Sequence, residues 1–416
     1  MTPAASPLAP RRPWSAGVVT ASAAVAVLVL ALWSSGTAGA STGAAATPSG
    51  EPAYARAVLP ELERLVDEMA VTGAVVLVRS PEHGDWTTTI GTRTWHGTEP
   101  VGLADHVRVG SNTKTWTGTV ILQLVDEGRI SLDDPVSKYR PDVPNGEHIT
   151  IAQLLDMSSG LANYTTDLEL NEQLDDNPSR VWSPEELLAI GLAEPPAFPP
   201  GEGFLYSNTN YVLLGLIIEQ VTGVPVAQAF QERIFNRLGL TESSFPALTD
   251  ASIPEPHPQT YSFGTNVETI DGNVLPPEVQ EGARAGTLEP MDVTDVNPSW
   301  AWTAGAGIST AGDLADYVEA LVGGGLLSPE LQQERIASVQ PFDPADPASA
   351  GYGLALARFG PLYGHTGELP GTNSFMGYDP DQDITVVTWA STAPAPDGRD
   401  PAVELARAVV TELYAD

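Results

Sequence analysis

The stretch RVGSNTKTWTG, residues 108–118, contains Lys114, one of only two lysines in this chain of 416 residues. The other is Lys138, so the remaining 17 of the 19 basic residues are arginines. Arginine and lysine both supply positive charge, but only lysine loses its proton at an accessible cost when it is desolvated. A lysine three residues after Ser111, in a chain that otherwise uses arginine, therefore indicates a position that needs a base.

The spacing of Ser111 and Lys114 is i, i+3, which places both side chains on one face of a helix. A serine hydroxyl is a weak nucleophile until another group takes its proton, and a neutral lysine one turn away could do so. The alternative interpretation is a polar first helical turn without a catalytic role. The pair alone is a weak signal, and its interpretation depends on the rest of the chain.

The same stretch lies where the sequence pattern changes. Residues 52–70 have helical spacing, and strand-like segments follow at residues 72–78 and 86–91. After Ser111 helical patterns dominate to about residue 237, and Ser183-Pro184-Glu185-Glu186 is typical of a helix start.

The last third of the chain returns to an α/β pattern. Residues 250–299 are acidic and weakly periodic, which predicts loops or short strands. A predicted helix at residues 311–322 precedes three strand-like segments and a final amphipathic helix, residues 401–414. The strand-like segments are YGLALARF, SFMGYD and ITVVTWAS.

Together these patterns predict an α/β domain interrupted by an all-α one. The α/β domain comprises residues 51–107 and 301–416, and residues 108–300 form a helical domain with a loop insertion. The catalytic cleft is predicted between the two domains.

The composition excludes several function classes. A net charge of −34 argues against nucleic acid and anionic membrane surfaces as partners, and a solvated acidic surface is its simplest explanation. The chain has no cysteine, so thiol chemistry and thiolate metal sites are excluded. Its six histidines include no i, i+4 pair, so the sequence predicts neither a metal site nor a cofactor. We expect a monomer that acts on a small-molecule or peptide substrate.

The N-terminus has the pattern of an export signal. Arg11 and Arg12 precede an uncharged run at residues 16–33, and small residues follow up to Ala40. Residues 1–40 are therefore predicted to be a signal, and residues 41–50 a flexible spacer. Cleavage would give a secreted protein. The alternative is a retained anchor that holds the protein at the outer face of the cytoplasmic membrane.

Two further motifs carry groups suited to acyl transfer. Tyr206-Ser207-Asn208 precedes a predicted helix and offers a hydroxyl that can relay protons and an amide that can hold a carbonyl. His365-Thr366-Gly367 lies between strand-like segments, where the glycine would let a ligand approach the backbone. There is no Gly-x-Ser-x-Gly elbow, and neither lysine follows a glycine as in a phosphate-binding loop.

This ordered set resembles the serine β-lactamase and penicillin-binding protein superfamily, with its Ser-x-x-Lys, Ser-Asp-Asn and Lys-Thr-Gly motifs. The Tyr-Ser-Asn and His-Thr-Gly forms are those of the class C branch, and the likeness is greatest to secreted D-alanyl-D-alanine carboxypeptidases. It covers about residues 54–414. The resemblance implies an antiparallel sheet flanked by N- and C-terminal helices, with an inserted helical domain. Similar phrases include ITIAQLLDMSSGLANY, PPGEGFLYSNTNYVLLGLIIEQVTG and NPSWAWTAGAGISTAGDLADYV.

The resemblance also implies catalytic roles. Ser111 would be the acylated nucleophile, and its own N–H would form half of the oxyanion hole. Lys114 and Tyr206 would share the proton transfers of acylation and deacylation. Asn208 would hold the amide oxygen of the substrate, and His365 would take the place of the usual lysine of the third motif.

The resemblance implies substrate-binding roles for the residues around the third motif. Thr366 and Gly367 would contact substrate, Glu368 would supply the second oxyanion N–H, and Trp300 would line the pocket or be a core residue. The relatives bind a substrate carboxylate through hydroxyls and an arginine, but the second hydroxyl position here is Glu368. We expect Arg358 to neutralise Glu368; if Arg358 points elsewhere, esters or amides without the carboxylate become the better substrates.

The resulting prediction is a serine hydrolase with an acyl-enzyme, foremost a D-alanyl-D-alanine carboxypeptidase that binds penicillin and acts on peptidoglycan. An esterase or β-lactamase on the same fold is the nearest alternative. A non-catalytic protein that binds β-lactams or peptidoglycan fragments is the alternative from another class.

Overall fold

A computed structural model describes residues 51–346 and 348–415. The signal and spacer predicted for residues 1–50 lie outside the described residues. The helices in this part of the chain are α1 Ala53–Glu68, α2 Thr113–Asp126, α3 Ile151–Leu155, α4 Leu168–Asp176, α5 Pro184–Ala193, α6 Asn208–Thr222, α7 Val226–Phe230, α8 Asn236–Leu238, α9 Pro277–Arg284, α10 Trp302–Gly305, α11 Ala311–Gly323, α12 Pro329–Ala337 and α13 Pro401–Leu413.

The strands of the described residues are β1 Gly73–Arg79, β2 Trp86–Gly91, β3 Val107–Arg108, β4 Tyr261–Ser262, β5 Met291–Asp292, β6 Ile308–Ser309, β7 Gln340–Pro341, β8 Gly351–Tyr352, β9 Ala357–Phe359, β10 Leu362–Leu369, β11 Thr372–Asp379 and β12 Ile384–Ala390. Single turns of 3-10 helix occur at Gly110–Asn112, Val136–Lys138, Tyr164–Thr166 and Pro298–Trp300.

One large antiparallel sheet organises the fold. Its eight strands have the order β2-β1-β12-β11-β10-β9-β8-β7. In the centre, Ala390 of β12 pairs with both Ala74 of β1 and Asn373 of β11. The sheet therefore joins strands from the start and the end of the chain, and the predicted mixed α/β fold with an antiparallel sheet and flanking helices is confirmed.

Helices cover both faces of this sheet. The Thr385 hydroxyl of β12 donates to Glu319 of α11, whereas the Thr388 hydroxyl donates to the carbonyl oxygen of Ala402 in α13. Residues three apart on a strand point to opposite faces, so α11 and α13 lie on opposite sides. α1 packs against α13. The N- and C-terminal helices thus share one face, as expected for flanking helices.

α2 is the central helix of the remaining structure. Every residue from Thr113 to Leu124 is buried, because α2 packs against α6, α10 and the chain that follows α7. Trp116 is fully buried, with its ring 4.9 Å from that of Phe235 and 6.0 Å from that of Phe230. A lysine on such a helix has no path to solvent, and this burial determines the chemistry of Lys114.

The structure corrects two predictions of local structure. YGLALARF is not one strand, because β8 and β9 are separated at Ala355, whose backbone is left-handed with φ 52°. The acidic stretch at residues 250–299 contains the helix α9 as well as two-residue strands. The predicted domain bounds, residues 51–107 with 301–416 and residues 108–300, stay a prediction.

Within the described residues, no single helix is long and apolar enough to cross a membrane. One pair, Asn208–Thr222 with Val226–Leu238, meets the length and composition criteria only when taken together and is bent by 81°.

Candidate active site

The turn that carries Ser111 is pressed against the sheet. Gly110 has a left-handed backbone, φ 53°, and a Cβ atom there would lie 2.4 Å from the backbone nitrogen of Glu368 in β10. Only glycine fits this position, because the conformation and the close contact both exclude a side chain. The turn therefore brings the backbone nitrogen of Glu368 next to the residue that precedes Ser111.

Hydrogen bonds from buried side chains hold this turn in place. The Asn112 amide donates to the Ser374 hydroxyl at 2.8 Å, and Ser374 in turn donates to the Val109 carbonyl oxygen at 2.9 Å. The Thr113 hydroxyl donates to the Gly110 carbonyl at 2.7 Å and accepts from the Gly307 N–H at 3.0 Å. The position of Ser111 relative to β10 and β11 is thus fixed by bonds on both sides.

Glycine is required at position 367 of the third motif for a different reason from the one that we expected. A Cβ atom at Gly367 would lie 1.9 Å from the carbonyl oxygen of Val109. The space beside this glycine is therefore filled by the turn that carries Ser111, and not left open for a ligand. Gly367 and Gly110 together allow β10 and the Ser111 turn to come into backbone contact.

Lys114 is fully buried beside Ser111. Its Nζ atom lies 2.9 Å from Ser111 Oγ, 2.6 Å from Asn208 Oδ1 and 2.7 Å from the carbonyl oxygen of Ala304. All three partners carry lone pairs, and no carboxylate is among them. Burial without a carboxylate holds the pKa of the Lys114 amine well below its usual range.

The three contacts fit a neutral amine. Such an amine has two N–H donors and one lone pair. Donation to Asn208 and Ala304, whose oxygens can only accept, leaves the lone pair for the hydroxyl proton of Ser111. The arrangement can therefore take a proton from Ser111 without first removing one from Lys114.

Asn208 is oriented from its other side by residues that the sequence analysis did not identify. Its amide nitrogen donates to Asn163 Oδ1 and to Thr165 Oγ1, each at 3.2 Å. Asn163 Oδ1 also accepts from the backbone N–H of Asn208 at 3.0 Å. These bonds direct the Asn208 oxygen to Lys114. The only signal for Asn163 in the sequence is that it lies in ITIAQLLDMSSGLANY, one of the phrases that resemble the superfamily.

Tyr206 lies directly over Lys114. The Lys114 nitrogen is 4.8 Å from the centre of the Tyr206 ring. The buried Tyr206 hydroxyl makes no standard hydrogen bond to any described residue. The Ser111 hydroxyl lies nearby and lowers the pKa of Tyr206. Burial is the larger effect and raises the pKa of Tyr206 well above its usual value. Tyr206 is thus a protonated hydroxyl beside Ser111 that retains its proton at neutral pH.

His365 is a buried, neutral imidazole. Its Nδ1 atom lies 2.6 Å from the Thr366 carbonyl oxygen, which can only accept, so Nδ1 carries the proton. Nε2 then accepts from the Tyr352 hydroxyl, 3.1 Å away. Burial, the largest cause, lowers the pKa of His365 to about 3. The third motif therefore places no positive charge here, unlike the lysine that usually occupies this position.

Glu368 is part of a pair of acidic side chains. It contacts Asp400, and burial together with the charge of Asp400 holds the pKa of Glu368 well above its usual range. Burial raises the pKa of Asp400 to about 6. The Asn273 amide donates to Glu368 Oε1 at 3.2 Å. Thr366, two residues earlier on β10, is partly exposed on the same face of the strand.

A cavity of about 200 Å³ adjoins this pair. Trp300 and Glu368 line it, together with Leu174 and Val293. Trp300 is only 4% exposed, and its carbonyl oxygen accepts from the Tyr164 hydroxyl at 2.6 Å. Trp300 is therefore a buried residue that also forms part of a cavity wall. Both predictions for it, a core residue and a pocket-lining residue, describe part of its environment.

Known proteins resemble this chain over most of its length. A family model described as beta-lactamase matches residues 61–410. This chain belongs to the β-lactamase family. It is a hydrolase of the superfamily that includes the penicillin-binding proteins, as the resemblance implied.

Solved structures of two named proteins are similar to this β-lactamase-family chain. It is 32% identical to a D-stereospecific amidohydrolase from Streptomyces sp., with a TM-score of 0.72 over 86% of this chain and 97% of that chain. The D-amino acid amidase from Ochrobactrum anthropi SV3 has the same fold, with a TM-score of 0.70 and 24% identity over 85% of this chain and 98% of that chain.

A relative from Escherichia coli K12 carries the provisional name D-alanyl-D-alanine carboxypeptidase. It is 27% identical over 293 residues, which are 65% of this chain and 65% of that relative.

The structure corrects the role that we expected for Arg358. It pairs with Tyr363, five residues before Glu368 on β10, so the two positions are separated by about 16 Å along the strand. The Arg358 guanidinium donates to the Ser349 carbonyl oxygen at 2.8 Å. Arg358 therefore does not neutralise Glu368, whose carboxyl group is hydrogen-bonded to that of Asp400 instead. Asp400 lies far away in the sequence and had no motif to identify it.

Proposed function

We propose that this chain is a serine hydrolase that works through an acyl-enzyme formed on Ser111. The observation that supports this most strongly is the contact between Ser111 and a fully buried Lys114, whose bonds to Asn208 and Ala304 leave its lone pair for the serine proton. A non-catalytic binding protein would have no need for a buried lysine without a carboxylate partner, since its desolvation is costly.

In the proposed acylation step, the Ser111 oxygen attacks the substrate carbonyl carbon while its proton passes to Lys114. The negative charge that develops on the carbonyl oxygen would be held by the backbone N–H groups of Ser111 and Glu368, which the glycine contact brings together. The carbon–leaving-group bond then breaks, and the departing group would take the Tyr206 hydroxyl proton, which the proton taken up by Lys114 replaces. Water completes the cycle by the reverse transfers.

For the substrate, we propose an amide whose acyl group is a D-amino acid. The 32% identity to a D-stereospecific amidohydrolase over most of both chains supports this assignment. Carboxypeptidase action on D-alanyl-D-alanine is the second candidate, and the provisionally named relatives support it. The placement of Arg358 away from Glu368 favours the amide, because the cation expected to offset Glu368 is absent from its side chain's surroundings. β-Lactam or ester turnover would use the same acyl-enzyme.

Export to the outside of the cell, either as a secreted protein or with an N-terminal membrane anchor, remains our proposal from the sequence of residues 1–40.

The test is hydrolysis of D-phenylalanine amide and its L enantiomer by the wild type and by Ser111→Ala. We expect turnover of the D form at least about tenfold faster, and loss of turnover in the variant by about a thousandfold or more. Equal activity of Ser111→Ala and the wild type would contradict the proposed nucleophile. Equal rates for the two enantiomers would contradict the D-acyl assignment alone.

A further inference from the structure

Glu368 combines two positions that matter for substrate choice. Its backbone nitrogen lies against Gly110, beside Ser111, whereas its side chain lines the cavity that contains Trp300. A substrate whose carbonyl oxygen reaches this backbone nitrogen therefore lies beside a residue that also borders the cavity.

The Glu368 side chain is held by two partners. Asn273 donates to Oε1, and the carboxyl group of Asp400 contacts it from the start of α13. Asp400 is 8% exposed and is the N-cap residue of α13, where the helix dipole favours an anion. The shared proton therefore belongs on Glu368, which donates to the Asp400 carboxylate, and the pair carries one negative charge.

The rest of the cavity does not offset this charge. No lysine, arginine or histidine of the described residues lines it, whereas Asp175 and Asp292 do. These two acids accept hydrogen bonds from neighbouring loops, Asp175 from Asn266 and Asp292 from Thr294. The remaining wall is mainly apolar and polar uncharged, as at Leu174, Val293 and Trp300.

We propose that the Glu368–Asp400 pair is a specificity-determining element that excludes substrate carboxylates from this cavity and admits neutral or cationic groups. The preferred substrates are then amides or esters whose substituent in the cavity carries no negative charge. A free carboxylate there would meet the negative charge of the pair, and no cationic residue of the described chain lines the cavity to offset it. Arg407 of α13, whose charge acts on Asp400, pairs with Glu404 and does not line the cavity. This inference rests on the proposed acyl-enzyme function and specifies its substrate class.

The test uses two matched substrate pairs. One pair, D-Phe-D-Ala and D-Phe-D-Ala amide, differs by a carboxylate on the leaving group. The other, N-succinyl-D-Phe amide and N-acetyl-D-Phe amide, differs by a carboxylate on the acyl side. For the pair whose variable group enters the cavity, we expect the wild type to show a kcat/KM about tenfold or more higher for the uncharged member.

The double variant Glu368→Gln/Asp400→Asn replaces both carboxyl groups by amides of the same shape and removes the charge. It should reduce this preference by about tenfold. The single variant Glu368→Gln should retain most of it, because Asp400 keeps its charge. Glu63→Gln, which removes an exposed carboxylate on α1, is the control for charge alone and should leave the preference unchanged.

The possible results separate the inference from the function beneath it. If the wild type cleaves both members of each pair equally well, or if the double variant keeps the full preference, the specificity role is overturned while the Ser111 mechanism stands. If the wild type turns over none of the four substrates and Ser111 is not acylated, the proposed function fails, and the inference fails with it. If the double variant does not fold, the wild-type rates for the substrate pairs alone test the specificity role.

Discussion

The Nζ atom of Lys114 lies 2.9 Å from the Oγ atom of Ser111. Lys114 lies on α2, where every residue from Thr113 to Leu124 is buried. The contact explains why an arginine-rich chain has a lysine here. A guanidinium group would remain charged in this environment, whereas the amine can become neutral and accept the serine proton. The burial that lowers the pKa of Lys114 comes from the packing of α2 against α6 and α10.

The substitution Lys114→Arg tests this explanation. Arginine retains the charge and the helix propensity but cannot act as the base, so the acylation rate should fall by about a thousandfold or more. Lys138→Arg is the matched control, because Lys138 is half-exposed and pairs with Asp134 at the surface. Pre-steady-state release of the leaving group measures the rate. Near-normal acylation in Lys114→Arg would show that Lys114 supplies only charge.

Asn163 should act as a positioning residue through Asn208. In Asn163→Ala the Asn208 amide loses the acceptor that orients it, and we expect kcat to fall by about tenfold to a hundredfold. Asn163→Asp keeps an acceptor oxygen at the same place and should restore most of the activity. Steady-state kinetics of both variants check this. Equal losses in the alanine and aspartate variants would contradict a role through this hydrogen bond.

Gly367 should tolerate no side chain, because its Cβ position overlaps the carbonyl oxygen of Val109. We expect Gly367→Ala to lower the free energy of unfolding by about 3 kcal/mol and to separate β10 from the Ser111 turn. Gly312→Ala, on α11 where the added methyl group meets only an atom 3.9 Å away, should be neutral or stabilise by up to about 1 kcal/mol. Urea denaturation measures both, and equal stabilities would refute the packing argument.

The Glu368–Asp400 pair should make stability depend on pH. Because burial raises both pKa values in the folded state, the folded protein keeps protons that the unfolded chain has released above about pH 4. The stabilisation is present below that pH and is lost as the pH rises through about 6 and beyond. Relative to Glu368→Gln/Asp400→Asn, the wild type should therefore lose about 3 kcal/mol from Asp400 alone between these values, and more from Glu368. Denaturation midpoints that run parallel with pH would contradict the shared proton.

Much of the fold could be predicted from the sequence, because it depends on local patterns. The helix that begins after Ser183 has the capping box that its sequence indicates, and α11 and α13 agree with the predicted segments within one or two residues. The break in YGLALARF could not be predicted. Its residues favour a strand, and the left-handed Ala355 arises from a tertiary contact, its N–H bond to the Leu155 carbonyl oxygen.

Some residues of the candidate site could likewise be predicted from the sequence, and others could not. Ser111 lies in the 3-10 turn that leads into α2, three residues before Lys114, so their contact could be predicted from the spacing. Asn163 and Asp400 reach the site only because the chain folds back. Asn163 lies in a phrase that resembled the superfamily, whereas no motif indicated Asp400. The error at Arg358 has the same origin, since the register of β9 against β10 determines its distance from Glu368.

The central claim is that Ser111 becomes acylated, and the most direct measurement is the mass of the intact protein after brief incubation with a D-phenylalanine ester, which carries no carboxylate, and acid quenching. The account predicts one added acyl group per chain, mapped by peptide analysis to Ser111 and absent in Ser111→Ala. An adduct on another residue, or turnover of a D-amino acid amide that continues undiminished in Ser111→Ala, would contradict it.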